Sequence, residues 1–194
     1  IIKLKFTMKK KNALLRKKSN VILHADDLGR SQNINSMIFE SIDEGFVNGV
    51  SIIIGQEFSL QGIIGAKKRD IKMRLHLNLT EGMASAKHNL NSSLVNKNGF
   101  FTQSFFSLFF ASFKINFFRF KNDVTKEINF QIKEYLKVLK LKNFNLDGHQ
   151  HVHCIPWISK IIMELTSKYN LKEIRIPNDT FYVFNLLNFL KSWF

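Results

Sequence analysis

The chain is poor in the residues that staple or break a backbone. Its 194 residues include one Cys, two Pro and nine Gly. The single thiol, Cys154, excludes an internal disulfide and a Cys-rich zinc site. So little Pro and Gly excludes collagen-like and Pro-rich low-complexity classes. Acid is also scarce: 15 Asp+Glu stand against 29 Lys+Arg, a net charge of +14 with His neutral. No uncharged run reaches the ~18–20 residues of a spanning helix, so no transmembrane span is expected. No apolar run of signal-peptide length follows the basic first residues, and the expected compartment is the cytoplasm.

A net charge of +14 first suggests nucleic acid or an acidic membrane surface. Its distribution changes that reading. The first 18 residues hold Lys3, Lys5, Lys9, Lys10, Lys11, Arg16, Lys17 and Lys18 and no acid. Met8 lies inside this stretch and is a candidate start. Residues 1–20 are therefore expected to be a basic extension, and residues 21–194 one folded domain. Hydrophobic residues make up 45% of the chain, an ordinary globular share.

The pattern along the chain predicts alternating strands and helices. Residues 21–25 (VILHA) read as a buried strand that empties into Asp26-Asp27-Leu28-Gly29. A helix follows, capped by Ser31 or Asn33 and ended by Gly45, with Ile34, Met37, Ile38, Ser41 and Ile42 on one face. Residues 50–54 predict a second strand, 60–68 a short helix and 72–79 a third strand. Residues 80–99 read as a polar loop. Residues 100–120 hold a large share of the 20 Phe. A helix is expected from Asp123 to about Leu141, with Val124, Ile128, Ile132, Tyr135, Leu136 and Leu139 on its inner face. Residues 144–152 predict a strand, 158–169 a helix and 173–177 a last short strand, before an apolar tail from 181 to 194. Strand–helix alternation at this spacing predicts a parallel α/β sheet.

In parallel α/β folds, sites gather outside the carboxyl ends of the strands. Three of the expected strands end in metal-suited groups: Asp26-Asp27, then His76, then the run Asp147-Gly-His149-Gln-His151-Val-His153. In a regular strand, residues two apart share a face, so Asp147, His149, His151 and His153 are expected to point one way. Three imidazoles and a carboxylate fill a core poorly and build a metal site well. One carboxylate with two neutral imidazoles leaves positions open for water and substrate, the pattern of a catalytic metal. Adjacent acids can divide labour, one holding the cation and the other taking a proton. Taken singly, each group has a blander reading: Asp-Asp before Gly as a turn, His76 as a satisfied core or surface residue. His24 is expected in packing or behind the metal ligands, His88 in solvent and Cys154 as a buried thiol.

Five ordered segments carry a resemblance: HADDLGRSQNINSMIFESIDEGFVNGVSIIIG, LHLNLTEG, EINFQIKEYL, LDGHQHVHCIP and IRIPND. Over roughly residues 21–179 the chain resembles the YdjC-type carbohydrate deacetylases, which include chitooligosaccharide deacetylases and a hopanoid-associated branch. The resemblance implies a TIM-barrel-like (β/α) fold and hydrolysis of an N-acetyl group from an amino sugar or short oligosaccharide. It implies one divalent cation, usually magnesium, although two imidazoles and a carboxylate suit zinc or manganese at least as well. Carried over by position, Asp27, His76 and His149 would be the metal ligands and Asp26 the general base. An unnamed acid would protonate the leaving amine, and His151 and His153 would support catalysis from behind the ligands or by stabilising the oxyanion. Arg175 and Asn178 would contact sugar hydroxyls. The family commonly has Phe where Leu28 stands and Ser where Gly148 stands. It also runs on through further strands, one with a His-Pro pair, so the barrel is expected to be incomplete at its C-terminal end.

Two other readings stand beside this one. A non-catalytic sugar- or metal-binding homologue would keep the ligands without the acid. A basic nucleic-acid or membrane-surface protein would draw on the Lys-rich head and the Phe-rich stretch with Lys114 and Arg119. No nucleic-acid motif is present, so nucleic acid is not expected as a partner, and self-association is left open.

Overall fold

The computed structural model describes residues 22–89 and 91–177. The sequence readings for 1–20, Asn178 and the apolar tail lie outside these residues. Five strands form a parallel sheet in chain order, β1 to β5. By their contacts the residues fall into two compact units, one ending at Arg74 and one beginning at Leu75.

The first unit holds β1 (His24–Leu28), α1 (Gln32–Asp43), β2 (Gly49–Ile52), α2 (Ser59–Lys68) and the start of β3 (Lys72–Leu77). β1 and β2 run parallel, and their register slips between Ala25 and Leu28. β2 is buried along its whole length, as expected of a strand covered on both faces. Ser31 caps α1 by accepting the Ile34 amide at 3.2 Å. Beyond Asp43, Gly45 at φ +94 turns the chain. The inner face of α1 is Asn35, Ile38 and Ile42. Met37, expected inside, is 68% exposed. Asn35 replaces it because its amide is fully used: Oδ1 accepts from Gly29 N at 2.7 Å, and Nδ2 donates to Phe58 O and Gln61 Oε1. One buried side chain thus ties the turn after β1 to the start of α2.

The second unit holds the end of β3, α3 (Phe105–Phe109), α4 (Phe117–Leu139), β4 (Asn143–Gly148), α5 (Pro156–Thr166) and β5 (Asn170–Ile174). A 3-10 turn, Phe110–Phe113, follows α3, and another, His149–Cys154, follows β4. β3–β4 and β4–β5 pair in parallel, with His76 opposite Asp147. The described residues of 80–99 form no helix or strand; the bridges Met83–Phe100 and Val95–Phe101 pin them. α4 begins six residues earlier than expected and buries Phe120, Val124, Ile128, Ile132, Tyr135 and Leu139. The same face also buries Glu127 and Gln131. Lys140 at φ +56 closes the helix, and the Leu141 amide reaches the Leu136 carbonyl.

Candidate metal and acid–base site

The two adjacent acids sit within β1, not beyond it. Asp27 takes φ +64, in the left-handed region, where the register slips. A bulge of this kind re-aims side chains that strict alternation would send to opposite faces. Asp26 is exposed and Asp27 half-buried. Asp27 Oδ2 lies 3.2 Å from Arg30 Nη1. Both acids have partners in the fold. His24, two residues before Asp26, approaches Ser51 Oγ through Nδ1 at 3.2 Å and accepts from Arg74 Nε through Nε2 at 3.3 Å. It connects β1 to Ser51 of β2 and Arg74 of β3 within the first unit.

In the second unit the central feature is a buried pair. His76 Nδ1 and Asp147 Oδ1 are 2.6 Å apart, with side chains 3% and 1% exposed. Parallel pairing places the two opposite each other, so strand register alone brings them together. The second Asp147 oxygen meets Arg175 Nη2 at 3.0 Å. One buried carboxylate therefore holds an imidazole on one side and a guanidinium on the other. Removing it would leave buried polar groups without compensation, a change that costs about 3–5 kcal/mol.

The His run departs from the expected strand. β4 ends at Gly148, and Gln150 and His151 take φ +52 and +59. The three imidazoles therefore do not share a strand face. His149 and His153 are buried and His151 half-buried. The His149 ring meets the His76 ring edge-on, with centroids 5.6 Å apart. Glu81 Oε1 lies 3.4 Å from His149 Nε2 and accepts from Gln150 Nε2 at 2.9 Å. His153 turns inward: its Nε2–H donates to the Arg175 carbonyl at 2.9 Å. Burial holds its pKa below the ordinary His value, against the opposing pull of that carbonyl and of Asp147. Cys154 is half-buried, and burial raises its thiol pKa, so it is not an activated nucleophile.

A polar clasp behind this cluster was not legible in the sequence. Gln131 Oε1 accepts from Asn78 N at 3.1 Å, and Gln131 Nε2 donates to Asn78 O at 2.7 Å. The side-chain amide thus pairs with the backbone just beyond β3 as a neighbouring strand would. Asn78 Oδ1 in turn accepts from Thr80 N and Glu81 N. Glu127, fully buried, accepts from the Ser85 and Ala86 amides and from Gln131 Nε2. His88, expected in solvent, has a side chain only 1% exposed and meets Glu127 Oε2 at 2.9 Å. Its fixed place follows from Glu127, whose buried carboxylate must be satisfied. The only sequence signal for the clasp was the Glu127–Gln131 spacing, one helical turn.

In the first unit a bulged strand carries two acids; in the second, β3 and β4 carry the His76–Asp147 pair, and the turn after β4 carries His149. Asp27 offers a carboxylate oxygen, and His76 and His149 offer ring nitrogens, the donor types a divalent cation takes. Fold and donors together define a parallel α/β protein with acid and imidazole groups at its strand ends.

The YdjC-like protein family model matches residues 20–193, and the chain belongs to that family. The chain is 26% identical over 161 residues to a carbohydrate deacetylase of Danio rerio, covering 82% of this chain and 50% of the relative. It is 29% identical over 168 residues to a carbohydrate deacetylase of Vibrio parahaemolyticus, covering 81% and 57%. The chain thus spans about half the length of the curated relatives it matches. A crystal structure from Enterococcus faecalis V583, of a protein named as a candidate for cellobiose-phosphate cleavage, superposes with a TM-score of 0.65 at 23% identity. It covers 81% of this chain and 59% of that one, and it carries the fold alone.

Proposed function

We propose that this chain forms part of a metal-dependent hydrolase that removes N-acetyl groups from amino sugars or short oligosaccharides. One divalent cation is held by Asp27, His76 and His149 in this reading. The observation that carries it is the buried His76–Asp147 pair. A ring whose Nδ1–H is committed to a carboxylate keeps Nε2 as a lone-pair donor of fixed direction, the usual arrangement of a metal-ligating His. Relatives named as carbohydrate deacetylases supply the substrate class. The resemblance implies magnesium; the two imidazoles suit zinc or manganese as well.

When bound, the cation supplies Lewis-acid polarisation of the acetamide carbonyl and a lower pKa for water. The rest is work for side chains. Asp26, exposed beside Asp27, takes the proton from the attacking water. In this reading His151, half-buried, returns a proton to the leaving amine, so that the C–N bond breaks to acetate and free amine. Burial disfavours the charged form of His153, whose Nε2–H fixes the Arg175 backbone through its carbonyl. Arg175, one-third exposed, contacts sugar hydroxyls in this reading, and Asn178 joins it.

The test is acetate release from N-acetylglucosamine oligomers by the purified chain, with metal and after chelation. Metal-dependent release that fails in Asp26→Asn supports the assignment. A protein that binds the cation and releases no acetate would sink the enzyme reading and leave a binding homologue.

A further inference from the structure

The Phe-rich segment produces an apolar tip on a packed base. Leu108, Ala111 and Phe120 are buried. Trp157 of α5 donates its indole N–H to Leu108 O at 2.8 Å and stands edge-on to Phe117, with centroids 5.3 Å apart. A reciprocal Ser104–Ser107 capping box fixes the start of α3. On this base Phe110, Phe113, Ile115 and Phe118 are 51%, 83%, 101% and 82% exposed. These rings and this branched side chain are held outward by a well-packed turn, and water is a costly place to leave them.

Charge says what would cover them. Lys114 and Arg119 are exposed within the tip, and Lys121 follows. No acid occurs between Glu81 and Asp123. A second copy of this chain would bring the same cations face to face. An anionic bilayer matches both features, because its headgroups attract the cations and its acyl boundary accepts the rings. No helix among the described residues is long and apolar enough to cross a membrane, so such contact would be peripheral.

We propose that the Phe110–Arg119 turn is a docking tip for the surface of an anionic phospholipid bilayer. The test is co-sedimentation of the full 194-residue chain with vesicles of phosphatidylcholine alone or mixed with phosphatidylserine. The chain binds the mixed vesicles and binds the neutral ones far less. The triple variant Phe113→Ser, Ile115→Ser, Phe118→Ser keeps every charge and loses roughly a hundredfold in partitioning. Lys114→Glu with Arg119→Glu removes the preference for anionic lipid. The near-ultraviolet dichroism of packed Trp157 stays unchanged in both, which separates lost docking from lost folding. Three outcomes overturn the proposal. The first is no binding by the parent chain. The second is equal binding by the triple variant, which would assign the effect to the Lys-rich head. The third is a lipid-free dimer that the Ser substitutions dissolve, which would make a second copy the occupant.

Discussion

Asp147 does more than its place in the His run suggests. Its two oxygens are divided between His76 and Arg175, and both contacts lie where water is excluded from the carboxylate. Replacement by Asn keeps the shape and removes the charge that orients the imidazole. We expect Asp147→Asn to weaken binding of zinc or manganese by about 10–100-fold, the usual effect of losing such an orienting partner. Titration calorimetry on both proteins measures this; unchanged affinity would remove His76 from the ligand set. His153 makes a different prediction. Its folded pKa lies below the unfolded value because burial opposes the charged ring. Above the unfolded value, near 6.5, neither state is protonated and the residue adds no pH dependence. As pH falls below it, the unfolded chain binds a proton that the folded ring refuses, so stability declines towards the folded pKa. Asp147 favours the charged ring, while His151 and His76 oppose it. Urea denaturation across this range should show a shallower acid loss in His153→Gln than in the parent.

Among the elements, α4 is the one whose role depends on two misplaced-looking residues. Glu127 and Gln131 occupy its buried face, and between them they satisfy the backbone that leaves β3. Gln131→Leu would strand the Asn78 amide and carbonyl, at about 1–3 kcal/mol for each buried group left unpaired. We expect a loss of roughly 2–4 kcal/mol in urea denaturation, together with weaker fixing of Glu81 near His149. A stability change near zero would mean that water replaces the clasp. These residues also mark how far the sequence could be read. Helix α1 was legible from Ser31, its apolar spacing and Gly45, because local caps and periodicity set it. The inner face of α4 was legible for its apolar members and silent for its polar ones, since an apolar pattern carries no sign of which backbone groups need partners. β4 was overextended, because left-handed backbone at Gln150 and His151 leaves the alternation of side chains unchanged in the sequence. The identities of the metal-suited residues were legible, but the pairings that orient them were not.

For the molecule as a whole, the claim most open to direct measurement is linkage between metal and stability. A cation bound only by the folded chain raises unfolding free energy by about 2.7 kcal/mol at 100 times its dissociation constant. Zinc or manganese should therefore raise the melting temperature of the parent chain. The double variant His76→Asn, His149→Asn should respond to neither. An equal response in both would place the cation elsewhere. The +14 charge, by contrast, says little about this chemistry. Eight of those charges fall in the first 18 residues, and the site itself rests on near-neutral and acidic groups.

Gly148 adds a constraint on how such a chain can change over time. Its backbone is extended, so any residue could adopt the conformation. Space is what forbids one: a Cβ there would lie 2.5 Å from His153 Nδ1 and 3.2 Å from His153 Cβ. A chain with serine at this position would have to seat its own ring elsewhere. The inward His153 and the bare Gly148 are therefore a contingent pair, in which the history of one position decides which residues the other can accept. Anyone grafting a relative's loop onto this scaffold has to move both positions together or lose the hydrogen bond from His153 to the Arg175 carbonyl.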